Sequence, residues 1–157
     1  LGHGSPMDVF IPKPIEALRG LKVTSVACGD THTIAVTAQG EVFSFGRNQN
    51  GQLGNGCTQD SLLPLRIESL QGKKIVQAAC GAEHSIALTS DGKLFAWGWG
   101  RYGNLGNGDF VDCCEPTGVI GLDGKTVVKT ACGWRHTLAV TDAGELFAFG
   151  WNKYGQL

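Results

Sequence analysis

The chain has 157 residues, 42% of them hydrophobic and 17% charged, with a formal net charge of -1. That is enough for one domain with a sizeable core. The composition excludes a disordered chain, no apolar run approaches the roughly 20 residues of a membrane-spanning helix, and near-neutral charge argues against a broad attraction to nucleic acid.

In chain order, Lys22 to Cys28 alternates, with Val23, Val26 and Cys28 among smaller or polar neighbours, and predicts a strand. His32 to Thr37 is short, apolar and rich in β-branched residues. Glu41 to Gly46 alternates around Val42, Phe43 and Phe45. Leu63 to Ile67 reads as an edge strand, because Pro64 removes a ladder donor. Gly29, Gln39-Gly40 and the glycines of 51 to 56 mark the turns. Asp91-Gly92 is a hairpin signal between two such strands.

The whole set then recurs at an offset of 52 residues, from Cys28 to Cys80 to Cys132. Pro12, Pro64 and Pro116 keep that spacing, as do Leu18, Leu70 and Leu122. Four short strands per unit at this period read as a propeller blade. The expected fold is therefore all-β, a β-propeller of three four-stranded blades, with repeats at approximately 1–52, 53–104 and 105–157. Propellers close with about four to eight blades. Leu1-Gly2-His3-Gly4 reads as the tail of a G-Q-L-G motif and Gln156-Leu157 as the start of another. One partial propeller domain, an interior piece of a longer protein, is the expectation.

Of the six cysteines, Cys28, Cys80 and Cys132 occupy one repeat position and are expected to be small buried residues, while Cys57, Cys113 and Cys114 look incidental. No C-x-x-C pair supports a zinc site, and a reducing compartment is expected. His32, His84 and His136 recur identically and are expected to hydrogen-bond within or between blades rather than to bind metal or catalyse. Asp8, Asp60 and Asp112 also recur and read as turn residues.

Positions that vary inside this frame are the candidates for function. One window follows each Cys-Gly pair: Asp30-Thr31, Ala82-Glu83 and Trp134-Arg135. Another follows the glycine ending each third strand and begins at Arg47, Trp99 and Trp151. The chain leaves the first window along one strand and returns to the second along the next, so both emerge at one end of the blade. One face of the disc should carry Asp30, Arg47, Glu83, Trp99, Arg101, Trp134, Arg135 and Trp151. Tryptophan and arginine are the usual anchors of protein interfaces. Trp97, aligned with Phe45 and Phe149, reads as core.

The C-G-x-x-H-[ST]-x-A-[VL]-T and G-x-x-x-x-G-[QN]-L-G patterns resemble the regulator-of-chromosome-condensation repeat family across the whole chain. That resemblance implies a seven-bladed propeller, with about four further blades. Within the family the chain looks most like the plant ultraviolet-B photoreceptor branch, on residues 46–54, 98–106, 133–137 and 153–157. This implies a homodimer joined through the Trp- and Arg-rich face. It also implies that tryptophans absorb the light without any added cofactor, and that excitation breaks Arg–carboxylate pairs to release signalling monomers.

By the same resemblance Trp134 corresponds to a chromophore tryptophan, with Trp99 and Trp151 as its neighbours. Arg47, Arg101 and Arg135 are then the interface cations, and Asp8, Asp30 and Glu83 the acidic partners. The branch carries Trp-Arg-His-Thr in three consecutive blades, of which one copy, Trp134 to Thr137, falls in this chain. The alternatives are a scaffold binding another protein through the same face, or a guanine-nucleotide exchange factor for a small GTPase. No nucleophile–base pairing, phosphate loop or metal signature points to enzymatic catalysis. Cytoplasmic and nuclear localisation is expected.

Overall fold

A computed structural model describes residues 1–157. It is all-β apart from two short 3-10 turns, Glu16–Leu18 and Glu68–Leu70. The first sheet runs β1 (Val23–Cys28), β2 (His32–Thr37), β3 (Val42–Gly46) and β4 (Ser61–Arg66), in that spatial order. The second is β5 (Ile75–Cys80), β6 (His84–Thr89), β7 (Leu94–Gly98) and β8 (Cys113–Gly118). The third has three strands, β9 (Val127–Cys132), β10 (His136–Thr141) and β11 (Leu146–Gly150). The expected fourth strand of that blade is missing for a simple reason: its repeat position falls beyond Leu157.

All pairings are antiparallel between sequence neighbours, and each inner strand carries a bulge at the same repeat position, Thr24, Val76 and Val128. The outer strand differs from its sequence reading. It starts at Ser61, where pairing to Gly46 begins, and ends at Arg66. Ile67 instead turns inward, donates its N–H to Val42 O at 2.9 Å and is 2% exposed. Pro64 and Pro116 sit in these outer strands, where one side of the backbone has no neighbour to satisfy. Each outer strand comes from the sequence repeat after the one that supplies its sheet.

The cores lie between blades. One cluster joins Ile34, Val36 and Val42 of the first sheet to Ile75, Ala78, Ala87 and Trp97 of the second, with Ile67 and Leu70 closing it. The other joins Ile86, Leu88, Leu94 and Ala96 to Val127 and Ala139 of the third. A single blade has no core of its own, which makes stability a property of neighbouring pairs. Trp97 is fully buried, as its strand periodicity predicts, and its Nε1 donates to Gln52 O at 2.8 Å. Gly54 is needed opposite it, since a Cβ there would lie 2.7 Å from that nitrogen and φ is +74°.

Two of the three recurrent histidines, His32 and His84, bridge blades. His32 Nε2 meets Ser85 Oγ at 2.9 Å, and His84 Nε2 meets Thr137 Oγ1 at 3.0 Å. Ser85 in turn donates to Gln52 O and Thr137 to Asn104 O, each at 2.8 Å. Those hydroxyl protons are committed, so the imidazole Nε2 carries the donor proton. Burial pulls His32 down to about 4 and His84 to about 3, from an ordinary 6.5. The glycine of each Cys-Gly pair makes room for the ring: a Cβ at Gly81 would collide with His84 and meet Gly133 O at 2.7 Å.

The expectation of buried cysteines is met only in part. Cys80 and Cys132 are mostly covered and pack against the core of the preceding blade. Burial raises both thiols, Cys132 to about 12. Cys28 is exposed. All six cysteines are free.

Two outcomes are expected. Gly81→Ala should destabilise the fold by about 1–3 kcal/mol in urea unfolding, the range for forced overpacking. The pH prediction follows from the histidines. The native state resists protonating His32 and His84, whereas the unfolded chain takes protons near 6.5. Stability should therefore be level above that pH and fall as pH drops towards 4, by up to about 1.4 kcal/mol per pH unit for each group. Urea midpoints measured between about pH 7.5 and 4.5 check this, and His84→Gln should flatten the curve.

Candidate functional site: a tryptophan–arginine face

The two variable windows are joined by backbone in every blade. Arg47 N–H donates to Thr31 O at 2.8 Å, and Trp99 N–H to Glu83 O and Trp151 N–H to Arg135 O at 2.9 Å. Blades are joined at the same level, since Asp30 N–H donates to Ala82 O at 3.0 Å and Ala82 N–H to Trp134 O at 3.2 Å. The face expected from strand direction thus forms as one layer. The three Cys-Gly pairs, with Asp30, Ala82 and Trp134, line a shallow open depression of about 320 Å³.

Asparagine side chains tie down the loops that lead into the G-[QN]-L-G turns, by different bonds in different blades. Asn48 donates to Cys57 O and Gln59 O at 3.0 Å while its Oδ1 accepts Leu53 N–H at 2.9 Å. Asn104 likewise donates to Trp99 O at 2.8 Å. Leu53 and Leu105 plug the loops into the core with no exposure.

On that base the aromatic side chains form a continuous run. Trp99 meets Tyr102 edge-on at 5.0 Å, Tyr102 stacks on Trp151 of the next blade at 5.8 Å, and Trp151 meets Trp134 edge-on at 5.4 Å. Tyr154 extends the run from Trp151, again at 5.4 Å. Edge-to-face and offset pairs at these distances are attractive. Arg135 sits within this run, its guanidinium carbon 3.8 Å from the Trp99 ring centre and 4.7 Å from that of Trp134. It is 9% exposed.

Arg135 Nη2 pairs with Glu83 Oε2 at 2.6 Å, and Asn50 Nδ2 holds the other carboxylate oxygen at 3.1 Å. Its Nε and Nη1 have no hydrogen-bond acceptor in the chain, and indole faces stand where acceptors would be. Each such cation–π contact contributes from about 0.5 to 2 kcal/mol, rising as water is excluded. The cluster therefore spans three blades: Asn50 from the first, Glu83 and Trp99 from the second, Trp134, Arg135 and Trp151 from the third.

The other expected residues stand apart from it. Arg101 is exposed and pairs with Asp112 at 3.2 Å, while Asp112 also accepts the Gly100 N–H. Arg47 is exposed and touches Gln49. Asp30 and Asp8 are exposed and form no ion pair within the chain. Asp60, the repeat mate of Asp8, accepts the Asn48 N–H at 2.8 Å, which fits the turn role expected of this position. Asn50, Tyr102 and Tyr154 end the second variable window of each blade, but no role on the face was assigned to them from sequence. The two tyrosines share one repeat position three residues after a tryptophan, and that spacing was the available signal. No group of three His, Cys, Asp or Glu side chains is placed to hold a metal ion.

Comparison with known proteins adds to this geometry. A family model described as the regulator of chromosome condensation (RCC1) repeat matches residues 1–36, 39–88 and 91–140. A second model of the same description matches 23–52, 75–104 and 127–156. The ultraviolet-B receptor UVR8 of Arabidopsis thaliana is 54% identical over 157 residues, all of this chain and 36% of that protein. The human E3 ubiquitin-protein ligase HERC2 is 44% identical over 158 residues, 99% of this chain and 3% of that protein. Among solved structures, Prp20p from Saccharomyces cerevisiae superposes with a TM-score of 0.80 at 30% identity, covering 93% of this chain and 36% of that one. Human WBSCR16 gives 0.80 at 29% identity, covering 88% and 36%. The chain thus spans about a third of the length of UVR8 and far less of HERC2.

Removing the carboxylate should expose the tension in this cluster. Glu83→Ala leaves Arg135 buried without its counter-ion and should cost about 1.5–3 kcal/mol of stability in urea unfolding. Glu83→Gln, which keeps an acceptor, should cost less.

Proposed function

This chain belongs to the regulator of chromosome condensation repeat family, and from that premise we propose that it forms part of an ultraviolet-B photoreceptor-like propeller. In this reading intrinsic tryptophans sense the light, and Arg–carboxylate pairs hold a homodimer that dissociates to signal. The observation that carries it is the Arg135 guanidinium lodged between Trp99 and Trp134 while bound to Glu83. Excitation that moves electron density from the indoles towards that cation weakens its hold on carboxylates. A largely desolvated pair suits such a switch, because disabling one partner leaves charge that water does not compensate.

Trp134 serves as the chromophore in this proposal, coupled to Trp151 by their edge contact, with Trp99 on the other side of Arg135. Arg47, Asp8 and Asp30 are exposed without an ion pair in the chain, and Arg101, exposed but paired with Asp112, would exchange that partner for one across the dimer. The resemblance to UVR8, at 54% identity over the whole chain, supports the same reading. The protein acts without a cofactor in this account, in cytoplasm and nucleus.

A second reading shares every residue of the face. Trp134 is 53% exposed and Tyr154 76%, as suits an anchor for another protein. Prp20p, whose structure is described with its binding to Gsp1p and histones, has the same blades. This reading covers both a scaffold and a small-GTPase exchange factor. It predicts no response to light.

Gel filtration of the full-length parent before and after illumination near about 290–300 nm, the red edge of tryptophan absorption, separates them. A dimer that becomes a monomer only after light, and not in Trp134→Phe, is the expected result. Dimerisation should also weaken as salt rises. A species whose size ignores light overturns the photoreceptor reading and leaves a docking surface.

A further inference from the structure

Three cysteines lie outside the repeat pattern. Cys57 stands where the other units carry Ser5 and Asp109, and Cys114 where they carry Phe10 and Leu62. The blade itself therefore requires no thiol at either position. The fold nevertheless brings the two segments together from different blades. Cys57 lies in the loop after β3 of the first blade, and Cys114 lies on β8, the outer strand of the second. Gly56 N–H donates to Cys114 O at 3.0 Å. The same loop closes on the Cys114 side chain at Gly51, where a Cβ would lie 2.9 Å from Sγ. Both thiols are free and partly exposed.

We infer that Cys57 and Cys114 are a redox-sensitive pair, which closes into a disulfide between the first and second blades on exposure to a hydroperoxide. Their surroundings divide the roles. Cys57 Sγ lies 3.8 Å from the Asn48 amide nitrogen and donates to Asn55 Oδ1 at 3.3 Å, at the partly exposed edge of its loop. Burial, then the neighbouring Cys113 and Cys57, keep the Cys114 thiol protonated. Cys57 is the first to react.

The Cys57 thiolate attacks one oxygen of hydrogen peroxide. The O–O bond breaks, and the sulfenic acid forms with release of hydroxide, which takes up the proton lost by Cys57 to give water. Cys114 Sγ then attacks the sulfenic sulfur, the S–O bond breaks, and hydroxide leaves with the Cys114 proton as a second water. Two thiols lose two electrons and the peroxide gains them.

The link would tie two parts of the charged face. The loop bearing Cys57 also carries Asn50, which holds Glu83. The residue two before Cys114 is Asp112, which holds Arg101.

The test is peptide mapping of the folded chain after hydrogen peroxide, with free thiols blocked and no reductant. Trypsin isolates Cys57 in the peptide 48–66 and Cys113 with Cys114 in 102–125. The expected product is a peptide joining these two, retained in Cys113→Ser and lost in Cys57→Ser and Cys114→Ser. Dithiothreitol should reverse it, and the oxidised chain should melt at a higher temperature than the reduced one. Dominant Cys113–Cys114 linkage within 102–125, a link that survives Cys114→Ser, or no link at all, overturns the inference.

Discussion

The arrangement depends on a histidine that reaches out of its own sheet. His32 and His84 each hydrogen-bond to a hydroxyl in the following blade, and that hydroxyl bonds back to a carbonyl of the loop at Gln52 or Asn104. Three pieces of backbone from two blades thereby meet at one buried point. The contact works because the ring is neutral and because glycine leaves it space. Gln52 O also accepts the Trp97 indole, so the same carbonyl anchors the largest core side chain. The cores lie between blades, and this contact sets how far apart the blades stand.

Once that spacing is set, the residues just beyond each Cys-Gly pair have little freedom. Asp30, Ala82 and Trp134 are tied by backbone bonds into a single layer. Side chains at that level then project onto one face, and their identity varies while their placement does not. That division explains how an invariant frame can carry a specialised cluster. Arg135 is the costly member, since a buried guanidinium loses its hydration. Glu83 and two indole faces offset that loss, and the balance can be tipped from either side.

Much of the fold was legible from the repeat. The strand pairs, the edge position of Pro64 and the core role of Trp97 all follow from period and alternation. The joint emergence of the two windows followed from strand direction. The limits of the outer strand did not, because Ile67 leaves the ladder to fill a gap between blades. The cover over Cys80 and Cys132 comes from a neighbouring blade, which alternation within one blade does not reveal. Tyr102 carried a repeat signal, but stacking on Trp151 of the next blade needs the blade-to-blade angle.

By itself, then, the sequence determined the blade, its period, and the list of residues that could reach the Trp- and Arg-rich face. These follow from local alternation and spacing, which a single strand pair already obeys. Only the tertiary structure decided which of those residues meet. Arg135 finds Glu83 and Trp99 across a blade boundary, while Arg101 turns to Asp112 and Arg47 reaches only Gln49. Pairing of this kind depends on the distance and angle between neighbouring sheets, and those are set by packing between residues far apart in the chain.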